Sequence, residues 1–291
     1  MSPSHERPAN RPAPEPRPVT FEDYAKLRIP GDVALHPRLA LAAFTFNEVE
    51  LGRGTERVHV AVAGPALTAG EAGERSHRQW THGVDDAWQP RWSPDGLHLA
   101  FLSARPHPHD GEGGQEDEGP RPQVHVTPGE GGEARRTSDL PEGVELFRWW
   151  PDGKALLVLA VSGRCTAERS WRRCRGDERD DPFVVEDEIP AWELWRIPLE
   201  GEPVRLLGGL KGLGDFDVAP DGRTLAIETN HTGRAEDDLS TEIVLVDLES
   251  RKMHRPWSRR RGQETRPRFA SDGALVFAGW SDPECSFSRQ E

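Results

Sequence analysis

The phrase Trp92-Ser93-Pro94-Asp95-Gly96 returns three times along the chain, as Trp149-Trp150-Pro151-Asp152-Gly153, Val218-Ala219-Pro220-Asp221-Gly222 and Phe269-Ala270-Ser271-Asp272-Gly273. The repeated aspartates are 57, 69 and 51 positions apart. A period of roughly 40–50 residues, lengthened where loops are inserted, is the signature of stacked β-sheets of the propeller kind. The phrase is also a turn with a mechanism. Pro is pre-set for the second position of a type I turn, Asp suits the third, and Gly takes the left-handed conformation that closes a bulged hairpin.

The flanks of each turn read as strands. Leu97, Leu99 and Phe101 alternate after the first full phrase, and Leu156 with Val158 and Leu225 with Ile227 repeat the pattern. A period of two predicts that these side chains share one buried face. A third strand follows at Gln123–Thr127, Trp192–Ile197 and Glu242–Val246. Polar turns such as Pro128–Gly132 and Leu199–Gly201 lead to short fourth strands at Ala134–Thr137, Val204–Leu207 and Lys252–Arg255. Four antiparallel strands per unit make a propeller blade. A degenerate copy lies earlier: Asp32–Pro37 stands where the turn phrase would be, Phe44 takes the place of Phe101, and Arg57–Ala63 is the third strand.

The fold class expected is therefore all-β, a β-propeller with four complete blades at 32–82, 88–139, 146–208 and 215–257. A partial fifth starts at Arg266 and contributes its first hairpin. A β-sandwich would not repeat one four-strand order with the same turn in each copy. Residues 1–19 read as a disordered Pro-rich tail, 20–31 as a lead-in segment, and 32–291 as an incomplete propeller domain. The linkers Arg105–Pro122 and Ser162–Pro190 stretch the repeat spacing as inserted loops.

Composition narrows the partners. The net charge of −13 disfavours nucleic acid and anionic membranes. Three cysteines, Cys165, Cys174 and Cys285, are too few for a disulfide framework and fit a reducing compartment. No stretch is long and apolar enough to span a bilayer, and the Pro-rich start lacks the apolar run of an export signal, so a cytoplasmic location is expected.

The turn phrase with its alternating strand resembles the propeller repeats of the prolyl oligopeptidase family and of the Tol-system propeller. The opening Thr20-Phe-Glu-Asp-Tyr-Ala-Lys-Leu-Arg-Ile-Pro-Gly-Asp-Val-Ala-Leu-His-Pro37 is similar to the start of acylaminoacyl and dipeptidyl peptidases, where a short helix leads into the first blade. The likeness covers about residues 20–280. It implies a propeller, commonly seven-bladed, that covers the active site of an α/β-hydrolase domain and admits only short peptides. The sequence departs from that pattern by running out in the fifth blade, with Cys285–Glu291 unlike a blade continuation, so truncation before the hydrolase domain is expected.

No catalytic, cofactor or metal residues are expected in this chain. The nearest string to a nucleophile elbow, Gly279-Trp280-Ser281-Asp282-Pro283, lacks the last Gly, and the last histidine, His254, precedes Ser281. His107-Pro108-His109 lies in an acidic loop that gives a metal no fixed geometry, Glu116-Asp117-Glu118 lacks the calcium-loop spacing, and Cys165 with Cys174 reads as two ordinary thiols. Arg255 and Arg259–Arg261 read as local ion-pairing groups; Trp92 and Trp149 read as blade-core wedges. Asp95, Asp152, Asp221 and Asp272 recur because the turn needs them. The reading is a non-catalytic, substrate-gating propeller portion of an acylaminoacyl-peptidase-like serine peptidase, inactive alone. Its partners would be a separate hydrolase domain or chain and short peptides. The alternatives are a cytoplasmic propeller scaffold for another protein and self-association through open blade edges.

Overall fold

The computed structural model describes residues 17–52, 54–64, 77–107, 120–162, 191–234, 237, 240–256 and 262–280. Blade 1 is β1 (Pro30–Leu35), β2 (Ala42–Glu50), β3 (Thr55–Ala63) and β4 (His77–Gln79). Blade 2 is β5 (Ala87–Trp92), β6 (His98–Ser103), β7 (Gln123–Pro128) and β8 (Arg135–Arg136). Blade 3 is β9 (Leu146–Trp149), β10 (Ala155–Val161), β11 (Trp192–Pro198) and β12 (Val204–Leu210). Blade 4 is β13 (Leu213–Val218), β14 (Thr224–Thr229), β15 (Glu242–Asp247) and β16 (Met253–His254). The fifth sheet is the hairpin β17 (Gln263–Phe269) and β18 (Leu275–Trp280). Every sheet is an antiparallel meander in chain order, so the fold is the β-propeller arrangement that the repeat predicts.

The turn phrase does the same work in all four copies. Gly96, Gly153, Gly222 and Gly273 have φ of +75°, +70°, +69° and +85°. Their N–H groups donate to the carbonyls of Ser93, Trp150, Ala219 and Ala270 at 2.8–2.9 Å. The aspartate Oδ1 then accepts the N–H two residues on, from Leu97, Lys154, Arg223 and Ala274, at 2.8–2.9 Å. Two donors that the strands cannot use are thereby satisfied.

The first blade builds its turn differently. Asp32–Leu35 belongs to strand β1 rather than to the turn, which comprises residues 36–41. The expected register holds: the His36 N–H reaches the Leu41 carbonyl as the Ser93 N–H reaches that of His98, 57 residues on. In place of an aspartate, His36 Nδ1 accepts the Arg38 and Leu39 N–H groups at 3.1 and 2.9 Å. Its Nε2 therefore carries the proton and donates to the Gly96 carbonyl at 3.1 Å, tying the first turn to the second.

The core lies between blades. Ala43, Val60 and Val62 of blade 1 pack on Trp92, Leu99 and Phe101 of blade 2. Ala100, Leu102, Val124 and Val126 pack on Phe147, Trp149, Leu156 and Val158 of blade 3. Leu157, Leu159 and Leu194 meet Phe216, Val218, Leu225 and Ile227 of blade 4. Successive residues of each second strand thus face opposite neighbours, and β6 and β10 are buried on both faces. Alternation here marks which neighbour a residue touches, not inside against outside. Each fully buried Leu or Phe contributes about 1.5–3 kcal/mol. Leu97 is the exception to the expected pattern: it sits in the turn before β6 and is 63% exposed. The lead-in is a single helical turn, α1 (Phe21–Tyr24), capped by Thr20 and Asp23. Arg28 then lies over the Phe46 ring and pairs with Glu48 at 3.0 Å, holding the lead-in to blade 1.

Candidate functional site

The first strand of each blade carries the polar chemistry of the interior. In four of the five sheets this strand is bulged against the second, at Gly31/Ala34, Trp88/Arg91, Leu213/Phe216 and Thr265/Arg268. Three non-glycine residues with left-handed backbone sit in these bulges: Asp32 (φ 44°), Gln89 (φ 50°) and Arg266 (φ 55°). All three lie five positions ahead of the turn residues Pro37, Pro94 and Ser271. A bulge bends the strand and re-aims its side chains, and a strained backbone of this kind persists only where its surroundings hold it.

The re-aimed groups reach from one first strand to the next. Arg91 on β5 pairs with Asp32 on β1 at 3.0 Å. Arg148 on β9 contacts both carboxylate oxygens of Asp215 on β13, at 2.8 and 3.2 Å, and its Nε donates to the Phe216 carbonyl at 2.6 Å. Arg268 on β17 reaches the same Asp215 at 2.6 Å, so one carboxylate bridges two arginines across three blades. Backbone groups join in: Trp149 Nε1 donates to the Arg91 carbonyl at 2.9 Å, and the Phe269 N–H donates to Asp217 at 2.8 Å. The Arg266 N–H donates to Glu228 at 2.7 Å, and Gln89 Nε2 to the Glu145 carbonyl at 3.1 Å. First strands of radial sheets approach each other closely only at the axis, so these contacts mark the inner wall.

Burial decides the charge states along this wall. For Asp215 burial opposes ionisation, but Arg148 and Arg268 outweigh it and hold the carboxyl below its ordinary pKa. For Asp217 and Glu228 burial dominates and pushes both above their ordinary values, against the pull of the Phe269 and Arg266 amides. Burial lowers the pKa of the Arg148 guanidinium, with Asp215 acting in the opposite sense. The arrangement is an ionic belt that ties neighbouring inner strands together, with Arg148 and Asp215 mostly buried and Asp32, Arg91 and Arg268 partly exposed.

The residues singled out in the sequence fall in other places. Asp95, Asp152, Asp221 and Asp272 are turn formers. Trp92 and Trp149 are buried between blades as wedges. Arg255 pairs with Glu242 at 3.3 Å, as a local ion pair. Ser281, His109, Glu116–Glu118, the three cysteines and Arg259–Arg261 lie outside the described residues. The belt itself escaped the sequence reading, yet it left a signal. Arg91, Arg148, Asp217 and Arg268 each stand three positions before the turn Pro or Ser, a charge recurring inside an apolar strand.

The chemistry available elsewhere is limited by saturation. His231 is joined through Nε2 to Glu242 and through Nδ1 to Arg255, while the Thr229 hydroxyl donates to the Lys211 carbonyl. A cleft of about 570 Å³ between blades 2 and 3 is lined by Leu140, Pro141, Trp195 and Glu193. Glu193 already accepts from Ser162, Trp195 and Arg205 at 2.8–3.0 Å. Among the described residues no group of three or more His, Cys, Asp or Glu could hold a metal ion, and no helix is long and apolar enough to cross a membrane.

Comparison with known proteins places this geometry. No family model matches the chain. The uncharacterized peptidase YuxL of Bacillus subtilis is 31% identical over 165 residues, which cover 53% of this chain and 23% of that protein. Tricorn protease homolog 1 of Streptomyces coelicolor is 34% identical over 171 residues, 55% of this chain and 15% of the other. The matched region thus spans less than a quarter of either relative's length. Among solved structures, a protein described as TolB from Agrobacterium tumefaciens superposes with a TM-score of 0.52 at 16% identity, covering 90% of this chain and 73% of that one. Uncomplexed acylaminoacyl peptidase from Pyrococcus horikoshii gives 0.52 at 12% identity, covering 89% and 39%. A puromycin-hydrolyzing peptidase from Mycobacterium tuberculosis gives 0.52 at 15%, covering 91% and 37%. At these identities the structures establish the fold: a β-propeller sheet stack of the kind found in TolB and in peptidase propeller domains.

Proposed function

We propose that this chain is the substrate-gating propeller portion of a serine peptidase of the acylaminoacyl-peptidase type, acting in the cytoplasm on short peptides. The observation that carries the reading is the sequence identity of about one third with two proteins named as a peptidase and a protease. The charged inner wall supports it. The side chains of this wall that stay partly exposed, Asp32, Arg91 and Arg268, offer charged contacts to the ends of an extended peptide. Hydrolysis itself is assigned to a hydrolase domain outside residues 17–280, supplied by a continuation of the chain or by a separate polypeptide.

The test is reconstitution. The purified 291-residue chain, offered acyl-peptide and aminoacyl chromogenic substrates and a fluorophosphonate serine probe, is expected to give neither turnover nor labelling. Joined to the polypeptide encoded immediately downstream, it is expected to give both. Turnover or labelling by the chain alone overturns the assignment, as does a joined protein that stays silent with every peptide offered.

A further inference from the structure

The cleft of about 570 Å³ between blades 2 and 3 lies between two complete four-stranded sheets, away from both ends of the stack. Leu140, Pro141, Pro203 and the Trp195 indole give it an apolar wall. Glu193 accepts the indole N–H at 3.0 Å and so fixes the ring. Asp139 and Glu142 add carboxylates to the lining, and the Asp139 side chain stays 86% exposed while it pairs with Arg136 at 2.6 Å. An aromatic ring set among prolines receives an extended Pro-rich segment, and carboxylates beside it receive arginine.

The chain carries a segment of that chemistry at its start, His5-Glu-Arg-Pro-Ala-Asn-Arg-Pro-Ala-Pro-Glu-Pro-Arg17. A polyproline II helix has three residues per turn, so Pro8, Arg11, Pro14 and Arg17 fall on one edge. Both acidic residues of the stretch, Glu6 and Glu15, fall together on another. The edge is therefore an alternation of Pro and Arg free of opposing charge. Arg17 is already committed: its guanidinium donates to both oxygens of Asp23 at 2.6 Å, which fixes where the segment leaves the lead-in.

The topology puts segment and cleft on the same side. The turn phrases of successive blades touch, His36 against Gly96 and Asp95 against Gly153, so they share one face of the stack. First strands run towards that face, and their starts lie on the opposite one. Residues 17–29 precede β1, and residues 139–142 of the cleft precede β9, so both belong to that opposite face. Sheets stack roughly 10 Å apart, which places the cleft within two spacings of blade 1. The nine residues from Pro8 to Arg17 extend about 28 Å as polyproline II.

We propose that residues 8–14 of this chain dock in the cleft between its own blades 2 and 3, with Pro8 and Pro14 on the Trp195 side and Arg11 on the Asp139 and Glu142 carboxylates. The tether makes the contact intramolecular, so a weak affinity suffices to fill the cleft. This goes beyond the peptidase reading and does not depend on it.

Carbodiimide labelling of carboxylates in the full chain, located by mass spectrometry, tests it without any substrate. The comparison is with a full-length variant carrying Pro8→Ala, Arg11→Glu and Pro14→Ala, changes that lie outside every sheet. Asp139 and Glu142 are expected to label at least about threefold faster in the variant. Asp221, in a turn on the far face, is expected to label equally in both. Protection in the native protein is expected to be independent of its concentration. A synthetic peptide of residues 1–18 is expected to restore protection to the variant, and the same peptide with the three substitutions is not. Equal labelling of Asp139 and Glu142 in both proteins, the result if another segment fills the cleft, overturns the proposal. So does protection that grows with protein concentration, which would assign the docking to a second copy, and so does a native peptide that protects nothing.

Discussion

Gly96 and Gly273 share a left-handed backbone but not an environment, and the difference separates two costs of losing a glycine. A Cβ at Gly96 would lie 2.4 Å from the His36 ring, whereas one at Gly273 would meet nothing within 4 Å. Gly273→Ala is expected to cost only the conformational penalty, about 1 kcal/mol. Gly96→Ala is expected to cost a further ~1–3 kcal/mol for displacing His36 from the Gly96 carbonyl. Urea midpoints of the two variants check the order, and equal losses would mean that the turn-to-turn contact contributes nothing. Asp215 allows a sharper test. Asp215→Ala leaves Arg148 and Arg268 facing each other and is expected to cost about 3–5 kcal/mol in the same measurement. His125 sets a pH response: it is buried on Phe101, and burial lowers its pKa from 6.5 to about 4. A histidine with a depressed folded pKa binds its proton more readily in the unfolded chain, so stability falls as pH drops from 6.5 towards 4. The loss reaches about 3 kcal/mol. His125→Gln is expected to remove that part of the acid limb in urea titrations run near neutrality and near pH 4, and an unchanged limb would assign it to other groups.

At the level of strands, legibility depended on whether a feature is local. The Pro-Asp-Gly turns were readable because turn chemistry is decided within four residues, and the strands they join followed from the alternation beside them. Blade 1 was found in its correct register although its turn uses His36 in place of Asp, since Pro37 and Phe44 kept the 57-residue offset. The bulges were not readable. Asp32, Gln89 and Arg266 take a left-handed backbone that no local preference of Gln or Arg requires, because the neighbouring blade imposes it. For the same reason the belt of Arg91, Arg148, Asp215 and Arg268 appeared only once the first strands were side by side. The bulge strain gives a prediction: Gln89→Gly relieves the left-handed cost but removes the Gln89–Glu145 bond of 3.1 Å. Because the Gln89 Oε1 is buried without a partner among the described residues, the net change is expected to be stabilising by up to about 1 kcal/mol. A lowered thermal midpoint would mean that the Glu145 contact outweighs the strain.

Across the molecule, stability is carried by contacts between neighbours in a line, since each sheet packs on the one before and the one after. Such stacks behave as one-dimensional arrays whose ends open first. Blade 3 is covered on both sides, and six of the seven residues of β10 are fully buried. The β17–β18 hairpin is a two-stranded sheet with one face against blade 4 and Val276 in solvent. Two-stranded sheets are marginal without a second packing face. Native-state hydrogen exchange is therefore expected to rank the amides by position. Protection is expected to be greatest in β10, intermediate in β6 and β14, lower in β2, and least in β18. Uniform protection from β2 to β18 would mean that the two ends cover each other, and the linear stack would have to be redrawn as a closed ring.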